Sequence, residues 1–311
     1  MPEGVFTARV EAHHKLSYSN NVKLVTQQKG SLFRSTVTEV PCTGEAHDAA
    51  ELIGKVEAIE GDGSRTRSNI ENVPSSKRRW LIRPDEIKSG QYIDKEDIFD
   101  SINYPQSKIV EAHTMAVNRV VDDRILGVRR NPNGSFSLRD GGIMGGAIEG
   151  KRPGGRVQLD PQYITPHGGF GLVIDKLIGA IEKFGLDDND MSQALNMAIT
   201  PKQHTDLLKL VSQTQENLNA FQQEELKRGR VTYFMNTFFW QTNRLPKVGN
   251  IRSCPMWTKG NIALGIWEDV NGDIWNDTHA DNRPYARVRG YVDCVRIEDS
   301  GVHIIECQEA A

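Results

Sequence analysis

Apolar residues recur at helical spacing over one long stretch, residues 105–127. Ile109, Ala112, Ala116 and Val120 form one stripe, and Val117, Val121 and Ile125 form a second beside it. Pro105 suits a first helical turn and Gly127 a C-terminal cap, while Asp122, Asp123 and Arg124 interrupt the pattern near its end. About 22 residues at 1.5 Å each make a rod of roughly 33 Å, long for a globular domain and suited to a scaffold spine. A shorter amphipathic helix is predicted from Leu172 to Phe184, stopping at Gly185. A third opens at Thr200-Pro201, an N-cap followed by proline at the first position, and runs through Leu207, Leu208 and Val211.

Strand periodicity marks other segments. Thr36-Val37-Thr38, Lys55-Val56-Glu57 and Arg79–Arg83 alternate or carry β-branched residues. Between the last two lies GDGSRTRSNIENVPSS (61–76), almost free of apolar residues, so two strands frame a polar tip in a long hairpin-like projection. Leu195–Ile199 reads as a buried strand, Val231–Trp240 as a single aromatic strand closed by Asn243–Pro246, and Asn261–Trp267 as another. Ala286–Ile297 and Val302–Cys307 form a closing hairpin around the turn at 298–301. Residues 1–30 are a polar lead-in with a short helical stretch at Val22, Leu24 and Val25 ending at Gly30. Residues 127–171 hold twelve of the 28 glycines and predict an irregular, mobile connection. The class is α+β.

Length adds a domain count: 311 residues correspond to about two domains. With 38% hydrophobic and 25% charged residues the chain has a globular balance. It contains no apolar run of the ~18 residues a membrane helix needs, and no signal-like N-terminus. These features point to a soluble protein made in the cytosol. A net charge of −3 argues against a dedicated nucleic-acid binder, which needs a basic face to displace counterions. Cys42, Cys254, Cys294 and Cys307 are widely spaced and form no CxxC pair, so neither a disulfide framework nor a zinc site is suggested.

Candidate chemistry is sparse. No GxSxG, HExxH, dinucleotide-binding or phosphate-loop motif occurs. His13-His14 are adjacent instead of one helical turn apart. Asp269-Val-Asn271-Gly-Asp273 resembles a calcium loop, but Gly272 stands at position four and Ala280 at position twelve, so a hairpin turn fits better. Basic clusters at Lys77-Arg78-Arg79, Arg129-Arg130 and Lys227-Arg228-Gly-Arg230 are solvated charge, inter-subunit ion pairs or contacts to nucleic acid. No catalytic, cofactor-binding or metal site emerges, and no enzyme is predicted.

The ordered series of segments resembles the Hong Kong 97-like major capsid proteins of tailed phages. QQKGSLFRSTV (27–37) is similar to the segment entering the family's extended loop, and YIDKEDIFDSINYPQSKIVEAHTMAVNRVVDDRIL (92–126) to its passage into the spine helix. ITPKQHTDLL (199–208), RGRVTYFMNTFFWQTNRLP (228–246) and VRIEDSGVHIIECQ (295–308) resemble its strand–proline–helix element, its strand ending in Leu-Pro and its closing hairpin. The resemblance implies an N-terminal arm (1–34), an extended E-loop (35–91), a P-domain with spine helix (92–194), an A-domain (195–285) and C-terminal strands returning to the body (286–311). It also implies self-assembly into pentamers and hexamers of an icosahedral shell around double-stranded DNA, which the shell meets by non-specific proximity. A portal is a further expected partner; because the match begins close to Met1, a separate scaffolding protein or none is expected, decoration proteins are left open, and the location is the virion after synthesis in the host cytoplasm. An encapsulin-like compartment that packages protein, a head–tail adaptor and a hydrolase with an unrecognised site are the alternatives.

Overall fold

The computed structural model describes residues 28–53, 76–93, 106–150, 152–187, 189–213 and 229–309. A 3-10 turn at Arg34–Thr36 precedes β1 (Thr38–Pro41), β2 (Ala46–Ile53), β3 (Ser76–Ile82) and β4 (Ile87–Tyr92). Helix α1 (Gln106–Leu126) leads into β5 (Val128–Arg130), β6 (Phe136–Leu138), β7 (Ala147–Glu149), β8 (Gly155–Val157) and β9 (Ile164–Thr165). Then come α2 (Ile174–Leu186), β10 (Leu195–Ile199), α3 (Pro201–Gln213), β11 (Tyr233–Phe234), β12 (Thr237–Gln241) and β13 (Lys247–Val248). The long strands β14 (Ile251–Thr258), β15 (Ile262–Asp277), β16 (Arg283–Arg296) and β17 (Val302–Gln308) complete an α+β fold.

Two sheets form the body. The first runs β1-β15-β16-β4, and α1 lies along β16. The second has seven strands, in the order β11-β12-β10-β14-β17-β9 with β13 beside β14. A third sheet, β2-β3-β7-β8, carries the antiparallel β2–β3 stem, in which Ala46 pairs with Ile82 and Ile53 with Ser76. The Lys55–Glu57 strand, the 61–75 tip, Pro105 and the Val22–Val25 stretch lie outside the described residues.

On α1 the stripe Val117, Val121 and Ile125 is buried, whereas Val120 of the first stripe is 38% exposed. The buried stripe meets Phe33, Trp257, Leu264 and Val292 in one continuous core. The charged triplet that interrupts the pattern is itself buried: Asp122, Asp123 and Arg124 all lie below 9% exposure. Gly127, at φ +76°, ends the helix, and a Cβ there would stand 2.5 Å from the Gly141 carbonyl oxygen.

Several expectations are corrected. Thr36 belongs to the 3-10 turn, because its amide and hydroxyl both donate to the Phe33 carbonyl, and the strand starts at Thr38. The 127–171 stretch is built into the fold: β5 to β9 and a second 3-10 turn occupy it, and Gly142 N donates to the Cys294 carbonyl. Helix α2 continues past Gly185 to Leu186, where the Asp187 amide and Asn189 close the last turn. The aromatic strand 231–240 is a hairpin, because Met235 and Asn236 both take left-handed φ, as a type I′ turn requires.

The closing segment is not a hairpin. Both edges of β16 are occupied by β15 and β4, and both edges of β17 by β14 and β9. The chain therefore crosses from one sheet to the other at 297–301, beside the earlier crossing from β14 to β15 at 259–261. Asn261 fastens the two: its side chain donates to the Glu298 carbonyl at 2.7 Å and accepts from the Glu298 amide at 2.8 Å. The boundary placed at 285 falls inside β16.

Candidate assembly surface

A cleft of about 1180 Å³ opens where α1 ends and the β5–β6 hairpin folds back beside it. On β5, Val128 is buried, while Arg129 and Arg130 are both exposed. Arg124, Arg139 and Arg156 complete an arginine lining, interrupted by Asp85, Asp123 and Asp140. Arg156 pairs with Asp140, and Arg139 lies 3.7 Å from Asp293. Arg124, which burial pulls below the usual arginine range, donates to the carbonyls of Val292 and Asp85. Arg129 and Arg130 make no ion pair among the described residues. Leu138, 57% exposed, and Val120 add apolar surface to the same walls.

Two carboxylates at this cleft are strongly perturbed. Burial pushes Asp123 up to about 6 against the opposing pull of Arg244, and it pushes Asp293 up to about 6 against Arg139 and Arg124. Asp123 lines the cleft, and Asp293 stands behind Arg139 at its wall. Their contacts join pieces of the fold.

Aromatic side chains stand exposed at two further places. Tyr285 packs between Tyr92 and Trp275 near the end of the β15–β16 hairpin, at centroid distances of 4.6 and 5.2 Å. The Tyr92 hydroxyl donates to Asp277 at 2.8 Å. Tyr233 and Phe238 stack at 4.8 Å on the β11 edge of the seven-stranded sheet. Exposed aromatic rings of this kind lend large contact area at low entropic cost and favour protein–protein contact.

The residues singled out from sequence fall in different places. His13, His14, Lys227 and Arg228 lie outside the described residues, as does the Lys77 side chain. Asp269, Asn271 and Asp273 sit within β15, around a register shift, not in a turn between strands; Asp269 is held by Arg34 at 2.8 Å. The turn falls at Asp281-Asn282, both left-handed. Arg78 pairs with Asp48 at 3.1 Å, and buried Arg79 with Glu149 and Asp299 at 3.0 and 3.4 Å, so both act within the subunit. Arg230 is exposed. All four cysteines are buried and unpaired by disulfides. Arg139 and Arg156 carry no local sequence signal; the turns around β6 and β8 bring them to Arg129. Among the described residues no cluster of three His, Cys, Asp or Glu could hold a metal, and no helix is long and apolar enough to cross a membrane.

Comparison with known proteins gives these features a context. No curated protein sequence matches the chain. Among solved structures, the capsid of Ralstonia phage GP4 is similar at 11% identity and a TM-score of 0.66, covering 95% of each chain. The capsid of cyanophage P-SCSP1u is similar at 12% identity and 0.64, over 94% of this chain and 93% of that one. The capsid of a native GTA particle aligns at 11% identity and 0.65, over 94% and 95%. Identities this low establish a shared fold. The family model described as phage capsid protein matches residues 10–309, nearly the whole chain, and the chain therefore belongs to the phage capsid protein family.

Proposed function

We propose that this chain is the major capsid protein of a tailed phage, of the Hong Kong 97-like type, and acts by self-assembly without catalysis. The observation that carries this reading is the family match over residues 10–309. In this reading the subunits form pentamers and hexamers of an icosahedral virion shell, made in the host cytoplasm, around double-stranded DNA that they contact without sequence preference. A portal and a separate scaffolding protein are its further partners.

Sheet membership supports a division of labour. The β2–β3 stem, with the polar 61–76 tip, is the extended loop; α1 with β1, β4, β15 and β16 is the P-domain; the seven-stranded sheet with α2 and α3 is the A-domain. Residues 1–34 are the arm. A β-stem that projects from the body gains partners by pairing across a subunit boundary, which turns a weak local element into a joint. The exposed aromatic groups at the hairpin end and on the β11 edge suit burial against neighbours.

Negative-stain electron microscopy of the purified, expressed chain tests the proposal. Closed icosahedral shells are the expected result. Discrete rings of fixed size would assign the chain to an adaptor instead.

A further inference from the structure

We propose that the arginine-lined cleft between the end of α1 and the β5–β6 hairpin receives an acidic segment of a second copy of this chain. The inference rests on the capsid reading and gives one of its contacts a place and a chemistry. Five arginines and three aspartates line the cleft, and the whole chain carries −3, so the residues outside the cleft carry −5. Copies of one chain thus offer each other opposite charge, with the positive part gathered in one concave place.

Most of the cleft's charge is already committed. Arg156 is paired with Asp140, Arg139 lies near Asp293, and Arg124 is spent on carbonyls. Arg129 and Arg130, consecutive and exposed on β5 and both lining the cleft, make no ion pair among the described residues; Arg130 acts on Asp123 only through space, and the two are the cations left to recruit carboxylates. Arginine presents a planar fork that binds carboxylate bidentately, and the binding strengthens as water is excluded. Duplex DNA fits less well. Asp85, Asp123 and Asp140 would face phosphates at close range, and exposed Leu138 and Val120 offer an apolar anchor that a polypeptide uses and a phosphate backbone does not. The contact is heterologous, cleft to a different surface, the kind of interface that closes into rings.

The test is sedimentation velocity of the full chain as wild type, as Arg129→Glu/Arg130→Glu and as Arg129→Lys/Arg130→Lys, with the melting temperature of each measured alongside. Both positions are exposed, so the melting temperature is expected to hold. The glutamate pair is expected to reduce shell mass at least tenfold, and the lysine pair, which keeps the charge but loses the bidentate fork, to reduce it less. Should the glutamate pair misfold, Arg129→Gln/Arg130→Gln replaces it, with the same loss of shells expected. A folded glutamate or glutamine variant that forms shells at wild-type yield overturns the inference while leaving the capsid reading intact. So does a variant whose shells form normally while its binding of added duplex DNA is lost, since the cleft would then face nucleic acid. A wild type that never assembles overturns both.

Discussion

Arg244 Nη1 lies 2.5 Å from both carboxylate oxygens of Asp123, and it also donates to the Arg119 carbonyl at 3.0 Å. This pair fastens the last turns of α1 to the segment that follows β12, and so ties the helix to the seven-stranded sheet. The preceding residue, Asp122, faces another partner: it accepts from Ser31 Oγ at 2.5 Å and from the amides of Leu32 and Phe33 at 2.9 and 3.2 Å. Two consecutive carboxylates on one helix thus hold the incoming chain and the second sheet.

Replacing Arg244 by Ala leaves buried Asp123 without its hydrogen-bonded partner, with only the more distant Arg130 acting on it, which costs about 3 kcal/mol at pH 8. The loss is smaller at pH 5. Asp123 already sits near 6 with Arg244 opposing the shift, and without the arginine it rises further. A carboxylate raised in the folded state contributes stability that is present below its unfolded value and lost as pH rises through the folded one. Urea unfolding of wild type and Arg244→Ala at both pH values checks this; an equal loss at pH 5 and pH 8 contradicts it.

Asp122→Ala removes the acceptor for Gln28, Ser31, Leu32 and Phe33 together. Each donor left buried and unsatisfied costs about 1–3 kcal/mol, so residues 28–33 are expected to detach locally instead of remaining in place. Hydrogen-exchange mass spectrometry should show faster exchange at Leu32 and Phe33, with β14 and β17 unchanged.

His303 is 1% exposed, and burial pushes its imidazole down to about 4, with Thr165 Oγ1 2.7 Å from Nε2. It is neutral in the fold at pH 7. Between roughly 6.5 and 4 the unfolded chain takes up a proton that the folded chain refuses, so this residue's contribution is present above that window and lost as pH falls through it. Burial of Asp123 and Asp293 acts in the opposite sense over the same range, so the informative quantity is a difference. Wild type should lose more stability than His303→Gln on going from pH 7 to pH 5.

Gly142 stands at φ +72°, and a Cβ there would overlap the backbone of Gly127. Gly142→Ala should destabilise by about 3 kcal/mol or more, since both the backbone conformation and the packing oppose it. Gly134→Ala, left-handed at φ +83° but open to space, should cost only about 1 kcal/mol. Thermal melts of the two variants separate strain from crowding.

The elements that read clearly in the sequence are those whose burial follows a simple period. Val117, Val121 and Ile125 announce α1, and Leu195–Ile199 announces β10, because one face or the whole strand meets the core. The breaks that were missed are made by conformation or pairing rather than by composition. Met235 takes a left-handed φ that its side chain does not advertise, so the 231–240 strand hides a turn. The sheet change at 297–301 depends on which edges of β16 and β17 are already filled, and 298–301 alone looks like an ordinary hairpin turn. Charge was the least legible. Asp122 and Asp123 read as an interruption of a helix and are buried anchors; Arg79 reads as part of a surface cluster and is an internal ion-pair partner. The cleft joins Arg129 to Arg139 and Arg156 through the glycine-rich turns, a proximity that local spacing cannot express.

The central claim, that this chain works by assembling with itself, meets its most direct test in sedimentation velocity of the purified wild-type protein. The capsid account predicts that most of the mass moves well ahead of a single chain, as pentamers and hexamers or as a fast boundary of closed shells. A single slow boundary at the 34.8 kDa of one chain, unchanged with rising concentration, would contradict it.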